Sequence, residues 1–339
     1  MSVAPLPERP RILFVGCSLE DYLADSLLHG LNALLGAAVV DVPRVDHLYR
    51  GFPHLPVIYG RGFSLYGRAP DAHPLRARYE HRLGRGEFDL LVFANVHRTP
   101  GELVRLLPLL GSTRVALLDG EDDIRLFPRG AALLEHPALL RLRFDRRWLY
   151  FKREWAPDAP LSARWKAATM HPLTPPRDRI RPASFSIPSD VLVPEGALHE
   201  GRTQDFPHHI VDAEVAARLG RQTKYAFSDE AAYHADLAAS RFGITTKRAG
   251  WDCLRHYEIA ARGAIPCVRA LSSKPSTCAP HGLDASNCID YTSYDDLVRR
   301  IAALSPERER ALREGAYAWA RRNTTVEAAK RFLDVVRAG

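Results

Sequence analysis

The segment spanning residues 240–268, SRFGITTKRAGWDCLRHYEIAARGAIPCV, places basic side chains, a glycine and a carboxylate around one junction. The apolar run over residues 241–246 predicts a strand, and the pattern over residues 252–261 predicts the helix that follows. Lys247 and Arg248 would therefore stand at the carboxyl end of the strand, beside the first amides of the helix. Helix N-terminal amides and cationic side chains both bind phosphate oxygens. The segment predicts a cradle for a diphosphate.

Two further features of this segment complete the predicted site. Arg255 and Glu258 lie three residues apart and share one face of the helix, where a carboxylate can accept hydrogen bonds from ribose hydroxyls. Gly250 would let the backbone approach a ligand closely, and Trp251 beside it belongs to the same binding set. The competing interpretation is an ordinary helix with surface charges between two buried strands.

The same segment resembles the donor-binding segment of GT-B glycosyltransferases, especially the exostosin-like group and related bacterial enzymes. The positions that carry the resemblance are Ser240, Phe242, Gly250, Arg255, Glu258, Gly263, Ile265, Pro266 and Val268. The resemblance implies that Glu258 binds the ribose of a nucleotide sugar. It further implies that Arg255 and the pair Lys247-Arg248 bind the phosphates, although exostosins often carry a proline where this basic pair stands.

An acidic turn follows another predicted strand, over residues 113–118. The turn reads Asp119-Gly120-Glu121-Asp122-Asp123. Because ligands bind at the carboxyl ends of parallel strands, Asp119, Glu121 and Asp122 are candidates for a catalytic base that takes a proton from an acceptor hydroxyl. His97, after the strand predicted over residues 89–94, is a further candidate acid or base. The turn could instead bind a metal ion or be a solvated acidic cap.

Two other strand ends carry candidate contacts to the acceptor or to phosphate. Lys152 and Arg153 follow the strand predicted over residues 148–151, where they could bind an anionic group or form a surface ion-pair cluster. Gly16 follows the first predicted strand and could line the cleft or only form a turn. It does not begin a G-x-G-x-x-G motif, so the dinucleotide fingerprint is missing.

The elements that position these residues form two series of alternating strands and helices. Strands are predicted over residues 11–16, 37–42, 89–94, 113–118 and 148–151, and again over 241–246, 264–268 and 287–290. A proline-rich stretch at 156–188 separates the series, and an aromatic-rich insert at 43–86 is interpreted as loops and short helices over a cleft. The fold class predicted is α/β, with two Rossmann-like domains facing a cleft as in the GT-B fold. The acceptor side would span 8–180 and the donor side 181–339, with the last helix a candidate to pack back on the first domain.

The composition is that of a soluble globular protein. The 339 residues, 46% of them hydrophobic and 26% charged, suffice for two ordinary cores without disulfide support. Most of the positive charge, +7 net, comes from arginines spread along the chain, which favours phosphate contacts over a nucleic-acid-binding tail. The five cysteines include no C-x-x-C pair, and Cys278, His281 and Cys288 lack a usual zinc spacing. No signal peptide or transmembrane run is evident, so we expect a cytoplasmic protein with at most peripheral membrane association.

The predicted function is transfer of a hexosyl or related sugar from a nucleotide sugar to a hydroxyl of a glycan, lipid-linked or protein acceptor. The nucleotide sugar would be a substrate, so no cofactor is predicted, and no metal is expected to be essential. No nucleic-acid partner is expected. Two alternatives stay open: a nucleotide-sugar epimerase of the same fold, and a non-catalytic nucleotide- or nucleic-acid-binding protein, for which affinity would fall steeply with salt.

Overall fold

The first half of the chain is built on one parallel sheet. A computed structural model describes residues 5–17, 19–145, 147–157, 172–224 and 226–339. The strands of this half are β1 (Ile12–Val15), β2 (Val39–Val42), β3 (Leu90–Phe93), β4 (Arg114–Asp119), β5 (Trp148–Lys152) and β6 (Ile180–Pro182). They are hydrogen-bonded in the order β2-β1-β3-β4-β5-β6. Phe14 and Leu13 belong to different apolar cores, so both faces of the sheet are covered, as parallel sheets require.

Among the residues described in this half, the α-helices are short except for the first. They are α1 (Tyr22–Leu35), α2 (Tyr79–Gly84), α3 (Pro100–Leu106) and α4 (Gly130–Glu135). The α1 helix begins at Asp21, whose carboxylate accepts hydrogen bonds from the N–H groups of Leu23 and Ala24, each at 3.1 Å. The insert at residues 43–86 contains short 3-10 turns and α2, as the sequence predicts.

The second half carries a smaller parallel sheet with helices around it. Its strands, in spatial order, are β7 (Phe242–Thr246), β8 (Ile265–Arg269) and β9 (Ile289–Tyr291). Its helices are α5 (Ala213–Leu219), α6 (Glu230–Ala239), α7 (Leu254–Ala261), α8 (Tyr294–Ala302), α9 (Pro306–Arg322) and α10 (Thr325–Ala338). The prediction of two Rossmann-like α/β units is confirmed. None of the helices in the described ranges is long and apolar enough to cross a membrane.

The final helix, α10, packs against the first half rather than the second. Gly30 makes this approach possible, because a Cβ there would lie 1.9 Å from the carbonyl oxygen of Thr325. Phe332 packs on Phe151 of β5 with ring centres 4.7 Å apart. The β6 strand also pairs with β5, so the limit predicted between residues 180 and 181 falls inside a strand of the first sheet.

Candidate functional site

A cavity of about 320 Å³ lies between the two halves, at the N-terminal end of α7. Tyr22, Gly60 and Phe63 line it from the first half, and His209, Lys224, Tyr233, Arg248, Cys253, Arg255 and Glu258 line it from the second. A ligand in this cavity would therefore contact both halves. Three residues of the predicted donor set, Arg248, Arg255 and Glu258, are brought together here.

Arginine side chains and the first turn of α7 make one wall of the cavity positive. Arg248 is exposed, and within the described parts of the chain its guanidinium has no hydrogen-bond or ion-pair partner. Arg255 lies 5.4 Å from the centre of the Tyr233 ring, and its NH2 atom is 3.2 Å from Nδ1 of His209. Burial, followed by the charge of Arg255, lowers the pKa of His209 to about 4, so this imidazole is neutral at pH 7. Both arginines are thus suited to an anionic ligand.

Glu258 provides the carboxylate of the cavity and is only 6% exposed. Its Oε1 atom accepts a hydrogen bond from the Ser64 hydroxyl at 2.6 Å, and its Oε2 atom accepts one from the Tyr233 hydroxyl at 2.6 Å. A carboxylate can accept about four hydrogen bonds. Glu258 is therefore held by both halves of the protein and keeps acceptor capacity for a ligand hydroxyl.

Lys247, Gly250 and Trp251 are not among the residues that line this cavity, and their role as nucleotide contacts stays a prediction. The N–H group of Trp251 is taken by Oε1 of Glu154, 2.8 Å away. A Cβ at Gly250 would lie 2.6 Å from the same oxygen, so the glycine permits approach of Glu154 rather than of a ligand. Lys247 places its ammonium 5.2 Å from the centre of the Trp251 ring. These residues shape the turn that presents Arg248.

Asp119 is fully buried and cannot serve as the catalytic base predicted for it. Its carboxylate accepts hydrogen bonds from Lys152 at 2.9 Å, from Tyr150, and from Nε2 of His97 at 3.1 Å. Burial alone would raise the pKa of Asp119, but the Lys152 ammonium and the His97 hydrogen bond hold it well below its usual range. Lys152 is fully buried in the same ion pair, so its predicted contact to phosphate or acceptor is wrong. Its charge is matched inside the protein.

Arg153 is also buried and joins the two halves instead of contacting a ligand. Its guanidinium donates to the carbonyl oxygen of Gly120 at 2.9 Å in the first half and to that of Asp252 at 3.1 Å in the second. It also pairs with Asp122, which stays more than half exposed. The predicted acceptor contact of Arg153 is therefore corrected to a structural one, while the acidic turn itself borders the boundary between the halves.

Glu121 is a partly exposed carboxylate of the acidic turn, and its ion pairs with Arg129 and Arg98 are loose, at 3.4 and 3.9 Å. It is 25% exposed, with Nδ2 of Asn95 at 3.3 Å from Oε1 and NH1 of Arg129 at 3.4 Å from Oε2. Asn95 follows β3 and also donates to Asp21 at 2.7 Å. Three strand ends, those of β1, β3 and β4, thus converge on this corner of the first sheet. Sequence reasoning identified Glu121 but missed Asn95 and Asp21.

Gly16 and His97 are the remaining residues predicted from the sequence, and Lys224 and Tyr233 are cavity residues that the sequence analysis missed. Gly16 is buried, and its N–H group donates to the carbonyl of Val42 at 2.9 Å, which continues the pairing of β1 with β2. His97 packs edge-on against Phe127 and is oriented by Asp119. The cavity residues Lys224 and Tyr233 had no motif to mark them.

The sequence offers the acidic turn and the group Cys278, His281 and Cys288 as candidate metal ligands. Among the residues that the structure describes, no group of three or more His, Cys, Asp or Glu side chains is arranged to hold a metal ion. Cys278 instead directs its thiol to the carbonyl of Trp155 at 3.4 Å, and Cys288 directs its thiol to that of Asp284 at 3.1 Å.

Solved structures resemble the whole chain at low sequence identity. No protein-family model matches the chain, and no curated protein matches it. HepE from Anabaena in complex with UDP superimposes with a TM-score of 0.56 at 11% identity, over 97% of this chain and 100% of that one. HepE with UDP and glucose gives 0.56 at 10% identity over the same shares. Sucrose-phosphate synthase from Thermosynechococcus elongatus gives 0.53 at 11% identity, over 97% of this chain and 98% of that one.

These similarities define the class of architecture. The chain has the GT-B fold, in which two Rossmann-like units face a cleft. The resemblance to the exostosin-like group in particular stays a prediction.

Proposed function

We propose that this protein is a glycosyltransferase that moves a sugar from a nucleoside diphosphate donor to an acceptor hydroxyl. The observation that carries the proposal is the cavity between the halves, where Arg248, Arg255 and the N-terminus of α7 stand near the carboxylate of Glu258. A positive group and a hydrogen-bond acceptor in one cavity match the diphosphate and the ribose of such a donor. HepE, which has the same fold, is known in complex with UDP.

Each half would have its own part in the reaction. The acceptor oxygen attacks the anomeric carbon, the bond from that carbon to the phosphate oxygen breaks, and the diphosphate leaves. Arg248 and Arg255 would stabilise the charge that develops on the diphosphate, so we expect no added metal to be required. If the anomeric configuration inverts, Glu121 would take the proton of the acceptor hydroxyl. Asp119 is buried in an ion pair with Lys152, and Asp122 pairs with Arg153.

The finer assignments rest on the same sites. We propose a hexosyl or related sugar as the transferred group and a glycan, lipid-linked or protein hydroxyl as the acceptor. We further propose that the reaction takes place in the cytoplasm. Lys224 and the neutral His209 extend the cavity beyond Arg255 and offer additional contacts to the donor.

The donor site can be tested by titration of UDP, GDP, ADP and CDP, without added metal, followed by thermal unfolding. A ligand that binds only the folded state raises the melting temperature by mass action. We expect at least one diphosphate to bind, and Arg248→Ala to weaken it about tenfold or more. Arg322→Ala is the matched control, because Arg322 is an exposed arginine of α9 outside the cavity. Binding by none of the four would contradict the proposal.

Transfer itself needs a second measurement with the corresponding nucleotide sugar. Release of the nucleoside diphosphate together with a glycosylated acceptor is the expected result. Conversion of the donor to its epimer, with no diphosphate released, would replace transfer by epimerisation.

A further inference from the structure

Resting on the proposed function, we infer that Ser64, a residue of the insert in the first half, positions Glu258 for the donor ribose. Ser64 is fully buried and reaches across the boundary between the halves. Its Oγ atom lies 2.6 Å from Oε1 of Glu258 and 2.9 Å from Nε2 of His234. The site for the ribose is therefore complete only when the insert is docked on α6 and α7.

The direction of these hydrogen bonds follows from the chemistry of the groups. A hydroxyl has one hydrogen, and Ser64 donates it to the carboxylate of Glu258. His234 must then donate its Nε2 hydrogen to the Ser64 oxygen. The result is a directed chain from His234 through Ser64 to Glu258, in which each partner fixes the orientation of the next. With Tyr233 on its other oxygen, the Glu258 carboxylate cannot rotate freely.

The backbone of the insert is held in an unfavourable conformation at this contact. Ser64 has φ of 69°, in the left-handed region that serine rarely adopts. Its N–H group donates to Glu230 of α6, and Arg68 binds the same carboxylate oxygen at 2.6 Å. Such conformations persist where the surroundings determine them strongly, and they cluster at functional sites. The contacts of Glu230 thus bring the Ser64 hydroxyl to Glu258.

Two substitutions separate the hydroxyl from the backbone. Ser64→Gly removes the hydroxyl and relieves the backbone strain, whereas Ser64→Ala removes the hydroxyl and keeps the strain. Arg68→Ala is the control, because it loosens the same boundary, through Glu230 and Asp190, without removing a hydrogen bond to Glu258. Circular dichroism and thermal unfolding are to be measured first, to establish that each variant is folded.

The experiment measures dissociation constants for the tightest-binding of UDP, GDP, ADP and CDP and for its 2′,3′-dideoxy analogue. In the unmodified protein we expect the analogue to bind about tenfold more weakly or worse, because it lacks the hydroxyls that Glu258 would accept. In both Ser64 variants we expect this ratio to fall to about threefold or less. In Arg68→Ala the ratio should be retained, even if both ligands bind more weakly.

The outcomes distinguish this inference from the proposed function. If none of the four diphosphates binds the unmodified protein, the proposed function fails and the role of Ser64 fails with it. If a diphosphate binds and the ratio is unchanged in Ser64→Gly, the donor site stands and Ser64 has no positioning role. An equal loss of affinity for both ligands in Ser64→Gly would show a merely structural contact and would also overturn the inference.

Discussion

Glu154, just after β5, accepts a hydrogen bond at Oε1 from the backbone N–H of Trp251, 2.8 Å away in the turn before α7. The same oxygen accepts hydrogen bonds from the N–H of Asp252 and from Arg153, each at 3.1 Å. One buried carboxylate of the first half therefore organises the turn that presents Arg248 and Arg255 in the second.

Replacement of Glu154 is expected to destabilise the protein. Glu154→Ala removes the acceptor of the Trp251 and Asp252 N–H groups and one of the two carboxylates that pair with the buried Arg153, at a cost of about 3 kcal/mol in the free energy of unfolding. Chemical denaturation measures this cost. Glu195→Ala is the matched control, since Glu195 pairs with Arg321 on the surface and its loss should cost less than about 1 kcal/mol. Equal costs for the two variants would refute the bridging role of Glu154.

We expect Asp119 to stabilise the folded protein. Asp119→Asn removes the charge opposite the fully buried Lys152, which should lower the free energy of unfolding by about 3 kcal/mol or more. The variant's melting temperature should therefore drop clearly. A variant as stable as the unmodified protein but devoid of transfer would return Asp119 to a catalytic role.

Glu121 is expected to behave in the opposite way. Glu121→Gln keeps the size of the side chain and removes its basicity, so for an inverting reaction kcat should fall about 10² to 10⁴-fold. The dissociation constant of the donor and the melting temperature should hardly change, because Glu121 is partly exposed and its ion pair with Arg129 is loose, at 3.4 Å. Steady-state kinetics together with donor titration give both quantities. Unchanged kcat in an enzyme shown to invert would exclude Glu121 as the base.

Glu258 is expected to determine donor affinity. Glu258→Ala should weaken binding of the nucleoside diphosphate about tenfold to a hundredfold, because a charge-assisted hydrogen bond to the ribose is lost. Isothermal titration calorimetry measures the change, and Glu314→Ala, an exposed position of α9, serves as control. Full donor affinity in a folded Glu258→Ala protein would contradict the proposal that Glu258 binds the ribose.

The stability of the protein should depend on pH through His256. Burial, more than the charge of nearby Arg255, lowers the pKa of His256 from 6.5 to about 4. Its Nε2 atom donates to the carbonyl of Trp251 at 2.9 Å, and its Nδ1 atom accepts from the hydroxyl of Thr245 at 3.1 Å, so a second proton would have to reverse the latter bond. Below pH 6.5 the unfolded chain takes up a proton that the folded protein refuses. The stabilisation is thus complete above pH 6.5 and is lost as the pH falls towards 4.

Unfolding free energies measured between pH 4 and 7 test this dependence. The loss attributable to His256 is at most about 3 kcal/mol. His256→Asn cannot titrate, so its stability should fall less steeply with decreasing pH than that of the unmodified protein. Parallel curves would mean that His256 has the same pKa in the folded and unfolded states and would refute this prediction.

Local sequence patterns were sufficient to predict most helices and strands, but they did not predict which groups the charged residues pair with. The junction of β7 and α7 was predictable because strand and helix periods and the glycine turn are all written within residues 240–268. The burial of Lys152 was not, because a cation after a strand looks the same in sequence whether it faces a ligand or Asp119. Glu154 was missed as the partner of Trp251, since 97 residues separate them. Contacts between the two halves are set by tertiary packing, which produces no periodic pattern in the sequence.

The return of α10 to the first half has a consequence for how the protein is made. The face of α1 around Gly30 and Phe151 of β5 pack against residues 325–338, which follow all strands of the smaller sheet in the chain. Until residues 325–338 have been synthesised, part of an apolar face of the larger sheet is open to water. The larger sheet therefore cannot complete its packing before the smaller one has been synthesised. Completion of the two units is therefore coupled, and a fragment ending near residue 182 should expose that face and bind hydrophobic dyes or chaperones.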